Sequence, residues 1–410
     1  MRIAIIAEVF LPKVDGVVNR TLHLIRELQR CDDEVLVICP QAEGARNGPA
    51  AVVEFPSFPF PLYPEYRIGR PDDCLIRTLE SFAPDVLHYV NPFAFGFCCH
   101  DLLRKACVRL PSVFSFHTLY GEFAKQYLLL KPLSGLFWWL MREYHNRADI
   151  NLTVSSITKD DLIRRGFERV HLWPPAIDPE LFNPNRQSPS MRARLASGQT
   201  SRQVLLTVSR LAPEKNIGFL ASVLEHFPEA SIAVVGDGPS RPMLERRFAG
   251  RATFLGYLKG VELAEAYASA DAFVYASETE TMGNVILETM ASGGALIAPE
   301  AGGIPSLVTH GETGLLYAPG DLADAVRLTR RALSDSRLRQ ELGRAAHQHV
   351  AEWTWARSIA SVRQAYREAI ESWQASRAAL TLRHRVAQAV TVSLLSGIES
   401  LSRSPAAVQA

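Results

Sequence analysis

Glu280 and Glu288 stand eight residues apart in ETMGNVILE, on either side of a small, flexible centre. On one continuous helix that spacing is a rise of roughly 12 Å, too far for two carboxyls to share a proton. It makes chemical sense if a helix starts between them, near Gly283 and Asn284. Glu280 then lies on the loop before the helix and Glu288 one turn inside it. Between them fall the unpaired N–H groups of the helix N-terminus, at Met282, Gly283 and Asn284. That is an anion site flanked by two hydrogen-bond acceptors. Upstream, VSRLAPEKN ends a strand with Arg210 and adds Lys215 five residues later. A guanidinium fork and an ammonium point charge on one strand-to-helix loop suit a diphosphate; alone, they equally describe a solvated surface pair. VVGDGP (234–239) is a strand followed by a tight turn that can bring backbone close to a ligand. FLGYL sets Gly256, Tyr257 and Leu258 at a strand end, where backbone can read a nucleobase edge or simply pack in a buried strand.

These residues need strand ends to hold them, and the chain supplies them. Short β-branched runs alternate with helical patterns, the signature of doubly wound parallel sheets. The first half carries candidate strands at 3–6, 34–38, 86–89, 113–116, 152–154 and 170–173, with helical spacing over 19–31. The pattern restarts in VLLTVSR, ASIAVVGDG, ATFLGYL, DAFVYAS and GALIAPE. Between the two sets, PPAIDPELFNPNRQSP has linker composition and puts a boundary near 178–190. The reading is an α/β protein: two Rossmann-like doubly wound domains facing across a cleft. Residues 1–178 form the first and 179–355 the second, with a crossing helix over 356–375 and a tail over 376–410. Ligands of open α/β sheets bind beyond the carboxyl ends of the strands, so function belongs in the cleft.

Bulk properties narrow the classes. The 410 residues are 47% hydrophobic and 21% charged with a formal net charge of +1, so no global field draws in nucleic acid. Six cysteines, all within the first 107 residues and none in a C-x-x-C pair, read as buried reduced thiols. MRIAIIAEVFLPK, an apolar run broken by Glu8, reads as a first strand and not a signal peptide. No apolar run reaches the ~18 residues of a membrane span. The expectation is a cytoplasmic protein. D-x-D is absent, so no dedicated metal clamp is expected.

SRLAPEK, VGDGP, FLGYL, Glu280-x7-Glu288, AGGIP and HGETGLLY appear in one order across roughly residues 200–320. In that combination the second half resembles the family 4 retaining glycosyltransferases of the GT-B fold. The resemblance implies a UDP- or GDP-linked sugar as donor substrate and no further cofactor. Arg210 and Lys215 would grip its diphosphate with the N–H groups at Met282–Asn284; Glu288 would meet the ribose and Glu280 the transferred sugar. It also implies roles for two residues of the first half: Gly16, in a glycine loop close to the donor phosphates, and His117 of FSFHT, near the reacting centre.

FPSFPFPLYPEYRIGRP and QYLLLKPLSGLFWWLMREYH are unusual, the second apolar nearly all round and closed by Arg142. With HNRADINLTVSS and VHLWPPAIDPELF they resemble the lipid-glycosylating branch, which includes sulfoquinovosyl-diacylglycerol synthases and GDP-mannose-dependent α-mannosyltransferases. The basic residue and glycine of that branch before Ile177-Asp178 are Pro175 and Ala176 here, which argues against an anionic donor sugar. The expected enzyme transfers a hexose, front-face and with retention, to diacylglycerol or a simple glycolipid. It would sit on the inner face of the cytoplasmic membrane through residues 126–142. Alternatives are a GDP-mannose-dependent mannosyltransferase, an epimerase or soluble polysaccharide synthase on the same fold, and a non-enzymatic nucleotide-sugar sensor.

Overall fold

The computed structural model describes residues 1–13, 15–41, 50–60, 63–118, 134–199 and 202–402, without the side chains of 60, 63–65 and 379–402. The first unit runs β1 (Arg2–Ala7), α1 (Gly16–Arg30), β2 (Glu34–Pro40), β3 (Ala51–Phe55), β4 (Ser57–Phe60), β5 (Tyr63–Gly69), α2 (Cys74–Phe82), β6 (Val86–Val90), α3 (Ala94–Lys105), β7 (Ser112–Phe116), α4 (Ser134–His145), β8 (Ile150–Thr153), α5 (Ser156–Arg164) and β9 (Val170–Leu172). The second runs α6 (Pro189–Leu195), β10 (Gln203–Val208), α7 (Ile217–Glu225), β11 (Ala230–Val235), α8 (Arg241–Phe248), β12 (Ala252–Gly256), α9 (Gly260–Ser269), β13 (Ala272–Val274), α10 (Asn284–Ala291), β14 (Leu296–Pro299), β15 (Leu315–Tyr317), α11 (Leu322–Ser334) and α12 (Ser336–Val350). A final helix, α13, spans Trp355–Ser402.

Both main sheets are parallel. The first has seven strands in the order β3-β2-β1-β6-β7-β8-β9, and the second six, β12-β11-β10-β13-β14-β15. Helices on both faces bury the central strands, which is why these read as unbroken apolar runs such as IAIIA and LLTV, while the edge strands β3, β9 and β12 stay partly exposed. Strand order reverses between β1 and β6 in one sheet and between β10 and β13 in the other. The loop leaving β1 ends at Gly16, the first residue of α1, and the loops leaving β10 and β13 carry Arg210 and Glu280. The chemistry therefore gathers at the two switch points, where such sheets open a crevice.

The chain passes between the units twice, at one place. Ile177 pairs with Thr354 as a parallel bridge, and the Ile177 N–H donates to the Trp353 carbonyl at 2.8 Å. Beyond that crossing α13 returns to the first unit and packs against α1 and β6–β8, adding Ile359, Val362, Tyr366 and Ala369 to the core on that face of the sheet. Tyr366 Oη meets His88 Nδ1 at 2.7 Å, and Arg363 holds Asp33 at 2.8 Å.

Several expectations change. The crossing helix continues past 375 to Ser402, because nothing between Trp355 and Gly397 breaks a helix; residues 403–410 lie outside the described part. The helix expected over 19–31 starts at Gly16, where the Asp15 carboxylate caps it by accepting from Val17 and Val18 N–H. Gly16 is thus a helix-tip residue. Cys39 and Cys99 are buried, but Cys31, Cys74, Cys98 and Cys107 are exposed, since they fall on helix surfaces and turns. The proline-aromatic run forms an antiparallel hairpin, β4–β5, with Arg67 Nε donating to Ser57 Oγ at 2.9 Å.

Candidate active site

A helix does begin where the glutamate spacing demands one. Gly283 is the N-cap of α10 with φ +83°, a left-handed backbone that glycine adopts without strain. Two glycine loops hold what surrounds it. A Cβ at Gly303 would collide with the Thr281 carbonyl, and the Gly303 N–H donates to the Glu280 carbonyl at 2.7 Å. AGGIP is therefore the floor of the Glu280 loop. VGDGP does the same for Arg210: a Cβ at Gly236 would collide with the Ser209 carbonyl, and Leu211 N–H donates to the Asp237 carbonyl at 3.0 Å.

The cations and acids then sort themselves. Lys215 Nζ bonds Glu280 Oε1, which also accepts from Tyr275 Oη at 2.6 Å. Burial alone would raise the Glu280 carboxyl, but Lys215 with the Tyr275 and Ser277 hydroxyls brings it below the ordinary carboxylate value. Glu280 is thus a committed anion. Glu288 accepts from Tyr267 Oη at 2.7 Å, and burial, opposed by that hydroxyl, lifts it to about 7. Two glutamates eight residues apart are thus shifted in opposite directions. Tyr257 is 65% exposed at the rim and donates to the Asp237 carbonyl at 3.1 Å, whereas Leu258 is buried. The Gly256 carbonyl accepts from Gly236 N–H at 2.7 Å, so one of its lone pairs already joins the two loops.

Across the cleft the first unit presents the tip of α1. A Cβ at Gly16 would lie 3.3 Å from Asn284 Nδ2, so two helix N-termini face one another. Met282, buried beside them, meets α1 through its sulfur. His117, at the end of β7, has its Nε2 2.9 Å from Ser115 Oγ and its ring edge-on to Trp173 at 5.2 Å. Burial, then Arg20 and His88, hold its pKa well below the usual histidine value, so it is a neutral imidazole. Among the described residues no three His, Cys, Asp or Glu side chains gather as a metal site.

Comparison with known proteins accords with this geometry. Residues 14–181 match the family model described as Glycosyltransferase Family 4, and residues 192–349 that described as Glycosyl transferases group 1. A sulfoquinovosyl transferase of Arabidopsis thaliana is 36% identical over 375 residues, covering 88% of this chain and 72% of that protein. The chain belongs to the GT-B glycosyltransferases. A GDP-mannose-dependent alpha-mannosyltransferase of Mycobacterium tuberculosis is 36% identical over 337 residues, 80% of this chain and 87% of the other. Among solved structures, a sucrose-phosphate synthase from Thermosynechococcus elongatus superposes with a TM-score of 0.73 at 19% identity, covering 90% of this glycosyltransferase and 98% of that chain.

The glycosyltransferase also uses residues that sequence reasoning passed over. Glu8, only 2% exposed, accepts N–H bonds from Phe93, Ala94, Phe95 and Gly96 at 2.9–3.0 Å, plugging the N-terminus of α3. The same loop carries Asn91, in the left-handed region at φ +51°. Its Oδ1 accepts from the N–H groups of His117 (3.2 Å) and Thr118 (3.0 Å). Asn91 therefore fixes where His117 sits. A carboxylate interrupting the first apolar strand was the available signal for Glu8; Asn91 had none, because its partners lie 26 and 27 residues away.

Proposed function

We propose that this glycosyltransferase moves a hexosyl group, with retention at the anomeric carbon, from a UDP- or GDP-linked sugar to a lipid acceptor such as diacylglycerol or a simple glycolipid. What supports the donor half is the approach of the α1 and α10 tips, with the Lys215–Glu280 pair in the second domain and the neutral His117 at the end of β7 in the first. In this reading Arg210 and the N–H groups of Met282, Gly283 and Asn284 take the diphosphate, with Gly16 allowing close approach from the opposite side. Lys215 is shared between that anion and Glu280. Glu288 accepts from the ribose, and Gly256, Tyr257 and Leu258 border the nucleobase. Glu280, already engaged by Lys215 and Tyr275, orients sugar hydroxyls and is a poor nucleophile. The acceptor hydroxyl then attacks on the face the diphosphate leaves, and a diphosphate oxygen takes its proton.

The acceptor half is supported by a surface. On α4, Trp138 and Met141 face the core, while Leu136 and Trp139 are 57% and 51% exposed and continue to Arg142 at three-residue steps. Exposed Trp and Leu running into Arg suit a lipid interface, at the inner face of the cytoplasmic membrane. Residues 126–133, the rest of the expected contact segment, lie outside the described part. No described helix is long and apolar enough to cross a membrane. The test is incubation with a panel of nucleotide sugars, with and without liposomes containing diacylglycerol, and product identification by mass. A glycosylated lipid formed only with liposomes is expected; undiminished transfer to a water-soluble acceptor without them would remove the lipid half. The mannosyltransferase relative favours GDP-mannose as a second donor reading, which the same panel decides.

A further inference from the structure

We propose that Arg20 is a positioning residue that sets the register between the two domains, so that the α10 tip and His117 address one donor; the inference rests on the transferase reading above. Arg20 lies one helical turn beyond Gly16 on α1, on the same face. Gly16 opposes Asn284, and Arg20 Nη1 lies 3.2 Å from Met282 Sδ, so α1 meets the start of α10 at two successive rungs. The same guanidinium donates from Nη2 to the carbonyls of Trp173 (3.0 Å) and Pro174 (2.7 Å), where the first domain ends and the chain turns toward the second. Its plane sits over the Trp173 ring at 4.4 Å, and over Trp355, at the return crossing, at 5.7 Å. One side chain thus touches α1, both interdomain passages and the second domain's catalytic loop.

The site is costly to build. Arg20 is 2% exposed, no carboxylate lies within ion-pair distance among the described residues, and its Nε has no partner there. A buried cation without an ion-pair partner carries a desolvation penalty, which fold stability alone does not explain. Burial lowers its pKa to about 9, which leaves it charged at neutral pH. A hydrophobic residue of similar length would cover Trp173 and Trp355 equally well. It would not join two carbonyls and a sulfur, which only a planar fork reaches at once.

The test uses the full-length protein with spin labels on exposed positions of α2 and α11, and reads the distance between the domains beside the kinetics. Arg20→Lys keeps the charge and loses the fork; Arg20→Met keeps the stem and loses both. Expected for Arg20→Lys is a broadened or displaced interdomain distance, kcat down at least tenfold, and uridine or guanosine diphosphate affinity within twofold of the unaltered protein. Arg20→Met should move further in the same direction; should it fail to fold, the Lys variant decides. An unchanged distance distribution in the Lys variant, or kcat within threefold, overturns the proposal. So does a fall in diphosphate affinity matching the fall in kcat, because Arg20 would then be a ligand contact. If the unaltered protein binds neither nucleotide, the transferase reading fails, while the distance measurement still decides Arg20.

Discussion

The two domains share a strand plan and treat ionisable groups in opposite ways. In the first, they are sealed in. Burial pushes His23 and His145 to about 4 and His88 to about 3, and lowers His100 and His117 too; Glu8 is spent on a helix tip. In the second, the groups near the cleft are committed to one another: Lys215 with Glu280 and Tyr275, and Glu288 with Tyr267. Apart from the buried Arg20, the first domain thus brings a neutral imidazole and shape to the cleft, and the second brings the paired charges of Lys215 and Glu280. A diphosphate needs the charge, and an acceptor hydroxyl needs the shape.

The strongest way to break that contrast is at Glu280. Glu280→Gln should lower transfer by on the order of 10²- to 10³-fold, as removal of a preorganised electrostatic group does, while diphosphate binding survives. Equal loss in kinetics and in calorimetric affinity would put the acid on the wrong ligand. Next comes the neutral side. Asn91→Ala should cost roughly tenfold or more in kcat by releasing His117, with donor affinity preserved, since misplacement by about 1 Å carries losses up to ~10²-fold. Arg210→Ala should weaken nucleoside diphosphate binding about tenfold, as for a charged hydrogen bond of ~1.5 kcal/mol, and leave nucleoside binding unchanged.

The smallest effect sharpens the comparison by pH. A histidine with a depressed folded pKa binds fewer protons folded than unfolded, so the first domain loses stability as pH falls below about 6.5. Glu8, raised by burial against four N–H bonds, opposes this in part. Glu288 has the reverse sign: raised from 4.5 to about 7, it removes stability as pH climbs through that window. Hydrogen exchange followed by peptide should show the first domain losing protection near pH 5 before the second. Simultaneous loss would mean that the domains do not differ in this way.

Much of the site was readable because it is local. A glycine and an asparagine before an apolar helical run mark a helix start wherever they occur, so the α10 tip followed from nine residues. Strands buried on both faces announce themselves by composition. What escaped is non-local. Lys215 meets Glu280 across 65 residues and Arg20 meets Met282 across 262, and neither leaves a spacing to read. The β4–β5 hairpin escaped because proline removes ladder donors and hides an edge strand. The length of α13 escaped because an Ala- and Arg-rich stretch without a partner pattern looks like a tail.

The side-by-side crossings at Ile177 and Thr354 carry a consequence for how the protein is made. Residues 203–350 come in sequence between the seven-stranded sheet and the last helix packed on it, so a ribosome emits that helix only after the whole insert. Until Tyr366 arrives over His88, the β6–β8 flank of the earliest-made sheet lacks the helix that packs on it beside α1. The half that is translated first is completed by a helix that is translated after the other half.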